Sequence, residues 1–413
     1  MANGARRLQG VGSLLCGVVL LDGVLGAQVG EAATYYVATT GSDSNTCVQA
    51  QSPSTPKQTI NAALNCLGTA AGAGAGHTVQ VAPGTYAETI DNNLPGGTSW
   101  SAPFTLEAAT IGTVTLQPPP GALRCMLIAR ATSQYAIISG IVCDGVNTSS
   151  DGIKITASST SGAASFIRLR DVEVQRAMHQ GILITHSTDN EIIRATVHDN
   201  GTEDNLDHGV YAAIAAHRTL IRHSRFYNNH AYGITVYNAT TPPDGCIVRN
   251  NRSYQNGTGG LVIWATNSLV YNNLIYNNHT ADGNLLESPK AGILVGDLSN
   301  GVKIYNNTIY GQKASAGDTG IKVSEGAVDT EVKNNIAYNN ATNIVNQGIG
   351  TILAANLTSD PKFVDAAAAN FALQFGSPAI DRGETLSEVP KDYNGVPRPQ
   401  GPAYDIGAYE YVY

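Results

Sequence analysis

The chain has 413 residues, and only 14% of them are charged, whereas an average soluble domain carries about 25% charged residues. This composition excludes an intrinsically disordered chain, which needs high charge and few apolar residues, and a coiled coil rich in Glu, Lys and Leu. The formal net charge is −8 and no block of like charge occurs, so we expect no nucleic-acid partner and no polybasic membrane surface. One long all-β domain is compatible with this length.

The N-terminus has the features of an export signal. Arg6 and Arg7 precede an apolar stretch over residues 11–25, and small residues follow it. We therefore predict a signal peptide over residues 1–33 and a secreted protein, with a retained membrane anchor as the alternative. No second apolar run is long enough to span a membrane, so we expect no integral membrane segment in the mature chain.

The cysteines support export. Cys47 lies close in sequence to Cys66, and Cys125 lies at a similar separation from Cys143. Two such pairs in a secreted chain predict two local disulfides. Cys246 is left over beside two apolar residues, and we predict a buried thiol rather than a nucleophile.

An internal repeat organises the rest of the chain. Its first unit is a glycine followed by an apolar, a variable and a second apolar residue. Copies of this unit begin at Gly152, Gly181, Gly209, Gly233, Gly260, Gly292 and Gly320, and the spacing between them varies. A second unit ends in Asn-Asn or a related corner and recurs between the glycines, over residues 221–229, 270–278, 304–310 and 332–340. The segments are too short for helices and rich in β-branched residues.

This repeat predicts an all-β parallel solenoid, in which each short strand becomes one rung of a sheet. Asn suits the corners because it tolerates left-handed backbone and can bond its equivalent in the next rung. We predict one β-helical domain over residues 34–345. A short capping helix over residues 56–67 and a strand, turn and strand over residues 78–86 begin it, and a C-terminal cap region over residues 346–413 follows.

The repeats resemble the right-handed parallel β-helix family that includes pectate lyases and related polysaccharide enzymes. Two end motifs resemble those of exported bacterial β-helix proteins. One spans residues 35–43 and 81–86, and the other includes residues 376–381 and the Asp-Ile-Gly-Ala-Tyr-Glu sequence at 405–410. The resemblance implies a right-handed helix and a polysaccharide substrate or ligand. It leaves the activity open, since such proteins are lyases, epimerases, hydrolases or non-catalytic binders.

The titratable residues are concentrated in one window, because residues 151–225 hold six of the nine histidines. Such a cluster in a weakly charged solenoid marks a candidate site, with solvated turns as the alternative. Cleavage of a uronate polymer by β-elimination needs a cation beside the carboxylate, a base, and an acid for the leaving oxygen. The predicted catalytic residues are His208 as base with Lys154 and His179 as rivals, Tyr211 as acid, and Arg222 as neutralising cation.

Further residues are predicted to contact the sugar or a metal. Tyr232, Tyr237 and Trp264 could stack on sugar rings, and Arg176 could bind a carboxylate. The acidic loop before His208 could bind Ca²⁺ as an optional cofactor, although a solvated loop is the simpler interpretation. Its predicted ligands are Asp199, Glu203, Asp204 and Asp207.

We therefore predict a secreted, monomeric polysaccharide lyase that acts on a uronic-acid polymer. The alternatives are a uronate epimerase and a non-catalytic glycan-binding or surface β-helix. The enzyme hypothesis requires His208, Lys154 and an arginine to converge on one groove over residues 151–264, whereas the binder hypothesis allows them to lie on different faces.

Overall fold

The computed structural model describes residues 32–158, 162–203, 206–280 and 290–413. Within these ranges the chain winds through three parallel sheets, which we name A, B and C, and each coil passes through sheet C, then A, then B. The predicted all-β parallel solenoid is confirmed. Nearly all of the predicted signal peptide, residues 1–31, lies outside the described residues.

Sheets A, B and C have twelve, ten and ten strands. Sheet A contains Thr34–Val37, Thr78–Val81, Phe104–Ala108, Gln134–Ser139, Ser165–Arg170, Glu191–Ile193, Leu220–Arg222, Ile247–Arg249, Leu269–Tyr271, Lys303–Tyr305, Glu331–Lys333 and Ile352–Ala354. Sheet B contains Gly84–Tyr86, Val114–Leu116, Ile141–Asp144, Glu173–Gln175, Thr196–His198, Arg225–Tyr227, Arg252–Tyr254, Leu274–Tyr276, Thr308–Tyr310 and Ile336–Tyr338. Sheet C contains Ile90–Asp91, Met126–Ile128, Ile153–Ile155, Ile182–Ile184, Val210–Ala212, Tyr232–Tyr237, Gly259–Trp264, Ala291–Val295, Thr319–Val323 and Thr342–Asn346.

Few other elements occur in the described part of the chain. A 3₁₀ turn spans Gln49–Gln51, and two antiparallel hairpins pair Ala157–Ser158 with Gly162–Ala163 and Phe363–Asp365 with Asn370–Leu373. Helix α1 spans only Ile60–Asn65, because the Thr59 hydroxyl accepts the Ala62 N–H and fixes its start. The described residues include no helix with the length and apolarity to cross a bilayer.

The interior of the solenoid is filled by the apolar residues that flank the variable residue of each repeat. Ile153, Ile182, Val210 and Ile234 follow one another in register on sheet C, and all are buried. Since they belong to consecutive coils, the core is continuous along the solenoid. Both predicted disulfides, Cys47–Cys66 and Cys125–Cys143, are confirmed, and Cys246 is a buried free thiol as predicted.

Two residues with different roles form the corner between sheets A and B, which we name the A–B corner. The first has left-handed backbone, as in Asn272 and Asn306 with φ of 52° and 49°. The second points inward, and its amide bonds the next coil. Asn307 Nδ2, for example, donates to Val270 O at 2.9 Å and to Asn335 Oδ1 at 3.0 Å. The predicted bonding between corner asparagines is thus confirmed.

The C-terminal region packs along the flank of the last coils. It contacts the first corner residue of four of them: Asn250 Nδ2 donates to Tyr393 O at 3.0 Å, Asn272 to Lys391 O, Asn306 to Asp405 O and Asn334 to Glu384 O. Within this region the buried Arg398 Nη1 lies 2.6 Å from Glu410 Oε1. The region therefore covers the A–B corner from the Asn250 coil onward.

Replacing Asn307 with Ala should lower the free energy of unfolding by about 2–4 kcal/mol, because the buried Val270 carbonyl and Asn273 N–H lose their partner. Chemical denaturation measures the change. Asn300→Ala is the matched control, since the Asn300 side chain is exposed, and it should change stability little. Equal destabilisation by the two variants would contradict the role of the corner amides.

Candidate active site on sheet C

The outer face of sheet C carries one side chain per coil from the variable position of the repeat. Lys154, Leu183 and Tyr211 are register partners on three successive strands, and all three are partly exposed. Neighbouring parallel strands lie about 4.8 Å apart, so Lys154 and Tyr211 are separated by roughly 10 Å with Leu183 between them. Strand alternation therefore places the Lys154 ammonium and the Tyr211 phenol on either side of the apolar Leu183 side chain.

A buried carboxylate lies beside Lys154. Asp151 is 3% exposed, and its Oδ2 is 3.8 Å from Arg124 Nη2. Burial raises the pKa of Asp151, and the nearby charges of Lys154, Arg124 and His179 oppose that rise. Three cationic or titratable groups thus lie within electrostatic reach of a single carboxylate at this edge of sheet C.

The second carboxylate of the site holds His179. Asp207 Oδ1 is 3.1 Å from His179 Nδ1, and Asp207 Oδ2 accepts the backbone N–H groups of Thr202 and Glu203 at 2.8 and 2.7 Å. A carboxylate that accepts Nδ1–H leaves the Nε2 of a neutral imidazole with a lone pair. Asp207 is buried, whereas the His179 side chain is 31% exposed. His179 therefore has the geometry of a proton acceptor oriented by a fixed carboxylate.

His208, the residue predicted as general base, is buried. It is 5% exposed, and its Nδ1 accepts the backbone N–H of Tyr232 at 3.3 Å. Burial lowers the pKa of His208 to about 4, so the ring is neutral at neutral pH. Because Nδ1 accepts an N–H, the single proton lies on Nε2. The structure thus places His208, the residue predicted as base, inside the protein and not on the exposed face of sheet C.

Three of the predicted aromatic residues form a row on sheet C. The Tyr211 and Tyr237 rings are 6.3 Å apart, and Tyr237 and Trp264 meet edge to face at 4.7 Å. Burial and the neighbouring Tyr237 raise the pKa of Tyr211 to about 12, so its hydroxyl stays protonated at neutral pH. Tyr232 is instead 3% exposed within an apolar cluster, and it cannot stack on a sugar from there.

The two predicted neutralising arginines lie elsewhere. Arg176 forms a two-bond ion pair with Asp144, the last residue of a sheet B strand. Arg222 ends a strand on sheet A, beside Arg249 of the next coil. Arg222 therefore cannot neutralise a carboxylate bound at sheet C, where Lys154 lies on the sheet and Arg124 lies beside Asp151. Arg222 is close to His208 in sequence but not in space, because half a coil of chain separates sheet C from the end of the sheet A strand.

The predicted calcium ligands do not assemble in the described part of the chain. Asp207 uses its carboxylate for His179 and two backbone N–H groups, and Asp199 Oδ2 lies 2.6 Å from His198 Nδ1. Asp204 lies outside the described residues, and Glu203 is exposed. No group of three or more His, Cys, Asp or Glu side chains among the described residues is arranged to hold a metal ion. The calcium site stays a prediction, because one of its four ligands lies outside these residues.

Two residues of the site had no predicted role. Arg124 precedes Cys125, where the repeat glycine is absent, so this coil does not stand out as a repeat. Asp151 immediately precedes its repeat glycine, in the position that His208 has two coils later. The His179–Asp207 contact also had a signal, because both residues lie two positions before a repeat glycine.

Comparison with known proteins assigns the family. The family model described as "Right handed beta helix region" matches residues 131–309 and 181–372, which together are more than half of the chain. The chain belongs to the right-handed β-helix family. No curated protein matches the sequence.

Solved structures show the same right-handed β-helix. Pectate lyase Pel9A is 18% identical with a TM-score of 0.56, and the match covers 92% of this chain and 96% of that one. XylC in complex with xylose is 12% identical with a TM-score of 0.51, covering 91% and 98%. An alginate lyase from Paenibacillus sp. str. FPU-7 is 17% identical with a TM-score of 0.50, covering 72% and 97%. At these identities the likeness establishes the β-helix fold alone.

The buried His208 makes the stability of the β-helix depend on pH. Its pKa of about 4 lies below that of an unfolded histidine, about 6.5, so the unfolded state binds the proton first as pH falls. The free energy of unfolding should therefore drop by roughly 2 kcal/mol from this residue between pH 7 and pH 5.

Denaturation of wild type and His208→Gln at both pH values measures this contribution. The variant should lose less stability on acidification than wild type does. An equal loss in the two proteins would contradict a buried neutral His208.

Proposed function

We propose that this β-helix is a secreted polysaccharide lyase that cleaves a uronic-acid polymer by β-elimination on the outer face of sheet C. The observation that carries the proposal is the His179–Asp207 pair beside Lys154 and Tyr211. It brings a base, a cation and a protonated hydroxyl to neighbouring coils of one exposed face.

Each group has a defined part in the reaction. Lys154 forms no ion pair within the described residues, and its ammonium can neutralise the sugar carboxylate, which makes the C5 proton acidic. His179 Nε2 removes that proton, and the electron pair left on C5 forms the C4–C5 double bond while the C4–O4 bond breaks. The leaving O4 takes a proton from the Tyr211 hydroxyl. Asp207 and Asp151 are positioning residues, because they act through His179 and the cations.

Three further observations support the proposal. The fold matches that of a pectate lyase along nearly its whole length and that of an alginate lyase. Two disulfides are consistent with an oxidising extracellular compartment. The Tyr237–Trp264 rings continue the sheet C face beyond Tyr211, where they can stack on further sugar units.

The direct test is formation of unsaturated product, followed by ultraviolet absorbance, on polygalacturonate, alginate and glycosaminoglycans. Each assay is run with and without a chelator, which reads out whether Ca²⁺ is required. We expect product on one of these substrates. Epimerisation shares the first proton transfer, so a change in sugar configuration by NMR without unsaturated product would reassign the chain as an epimerase. No change in either measurement would contradict an enzymatic function.

His179→Ala should lower kcat by about 10²- to 10⁴-fold on the active substrate, the usual contribution of a general base. His217→Ala is the matched control, since His217 is half-buried, accepts a backbone N–H from Asp244 and lies on another corner. It should retain wild-type kcat. Full activity of a folded His179→Ala protein would contradict this assignment of the base.

Asp207→Asn should lower kcat more than it changes KM, because it leaves the substrate contacts intact and removes the anion that orients His179. Thermal unfolding of the variant checks the fold. An unchanged kcat in a folded variant would show that Asp207 stabilises the loop alone.

A further inference from the structure

A second cluster of charged residues lies at the A–B corner, the corner of each coil that sheet C does not border. Arg222 and Arg249 are register partners on sheet A, and Arg225 and Arg252 are register partners on sheet B. They flank the corner of two adjacent coils, with the exposed His223 at the corner itself. Strands lie about 4.8 Å apart, so the like charges repeat at that spacing.

None of these four arginines forms an ion pair within the described residues. Arg249 Nη1 donates to the Asn250 side chain at 3.3 Å, and Arg252 Nε donates to the Tyr393 hydroxyl at 3.1 Å. Partial burial and the neighbouring arginines lower the pKa values of both Arg222 and His223. An unneutralised cluster of this kind in a chain of net charge −8 is suited to an external anion.

The cluster borders a groove of about 560 Å³. Ile111 and Gly112 line it on the side of the earlier coils, and Tyr393 of the C-terminal region lines it on the other. Its wall contains Arg194, His223, Arg225 and Arg252 together with Asp171 and Glu173. The groove is therefore the part of the A–B corner that the C-terminal region leaves open.

The residue type at the first position of the A–B corner changes where the C-terminal region no longer covers that corner. In the covered coils it is Asn250, Asn272, Asn306 or Asn334, and each amide bonds the C-terminal region. In the three preceding coils the same left-handed position holds Asp171, Arg194 and His223. The open stretch thus carries charged groups at the positions that bind the protein's own backbone farther along.

The carboxylates that line the groove indicate which type of anion the groove can bind. Asp171 is bound by Arg194 at 2.6 and 2.7 Å, and Glu173 Oε1 lies 3.1 Å from His198 Nε2. Each carboxylate has lone pairs left to accept hydroxyl groups. Closely spaced phosphates would be repelled by them, whereas an acidic sugar offers both a carboxylate for arginine and hydroxyls for Asp and Glu.

We propose that the groove at the A–B corner is an accessory binding site for an acidic polysaccharide, separate from the candidate active site on sheet C. The arginines of the corner receive carboxylates from successive sugars, and Asp171 and Glu173 accept sugar hydroxyls. The site holds the polymer on the side of the solenoid away from sheet C and takes no part in the reaction. The choice of a uronate polymer as occupant rests on the proposed function, whereas the existence of an anion site does not.

Binding of polygalacturonate and alginate, measured by affinity electrophoresis and calorimetry, tests the site in the full chain. The Arg222→Gln/Arg225→Gln variant should raise Kd by about tenfold or more, because charge-assisted hydrogen bonds are lost. Arg218→Gln removes one charge from an exposed arginine on another corner and should leave Kd near the wild-type value. The single variant Arg225→Glu should weaken binding as well, and it alters an exposed residue without an ion pair in the described part of the chain.

Activity separates this proposal from the proposed function. If the chain is a lyase, the double variant should keep kcat on short oligosaccharides and raise KM on the polymer. If no substrate is cleaved, the binding experiment still decides whether the site exists. Binding by the double variant equal to that of Arg218→Gln would overturn the proposal, as would stronger binding of duplex DNA than of either polysaccharide.

Discussion

The register between successive coils is the constraint on which the rest of this structure depends. Each strand bonds its equivalent one coil later without offset, as in Ile182 with Val210 and Ile234. Side chains therefore recur at the same position on every coil, about 4.8 Å apart. One insertion within a strand would turn the apolar pair of the repeat outward, and the variable spacing of the repeat is confined to the corners.

The side chains of the A–B corner hold that register from one coil to the next. Asn251, Asn273, Asn307 and Asn335 each bond the next residue of the row, and all are buried. The preceding residue supplies the left-handed turn and points outward. A single Asn-Asn pair thus closes the corner, links two coils and directs one amide outward. The C-terminal region uses that amide to cover the flank.

Both charged sites follow from the same geometry. On sheet C, His179 and Asp207 meet because they occupy equivalent positions in adjacent coils, and Lys154 and Tyr211 lie on the face that they border. On the A–B corner, Arg222 and Arg249 meet for the same reason. Stacking therefore brings side chains that are one full coil apart in sequence into direct proximity. A solenoid can build a site from one residue per coil.

The repeat glycines and corner asparagines were sufficient to predict the sheets, the continuous core and the outward direction of Lys154 and Tyr211. Strand alternation could not show that the Tyr232 backbone binds His208 Nδ1, because that contact depends on the path of the next coil. It also did not separate Arg222 on sheet A from the sheet C residues, since every coil passes through three faces. The helix was predicted too long because the prediction began at Pro56, before the Thr59 cap, and continued to Leu67, two residues after the helix ends.

The most direct measurement is a crystal structure of the His179→Ala variant with a uronate oligosaccharide. The account predicts a sugar across Leu183, with its carboxylate on Lys154, its C5 facing the space left by the imidazole, and its bridging oxygen beside Tyr211. A sugar ordered only at the A–B corner, or on sheet C with C5 turned away from residue 179, would contradict it.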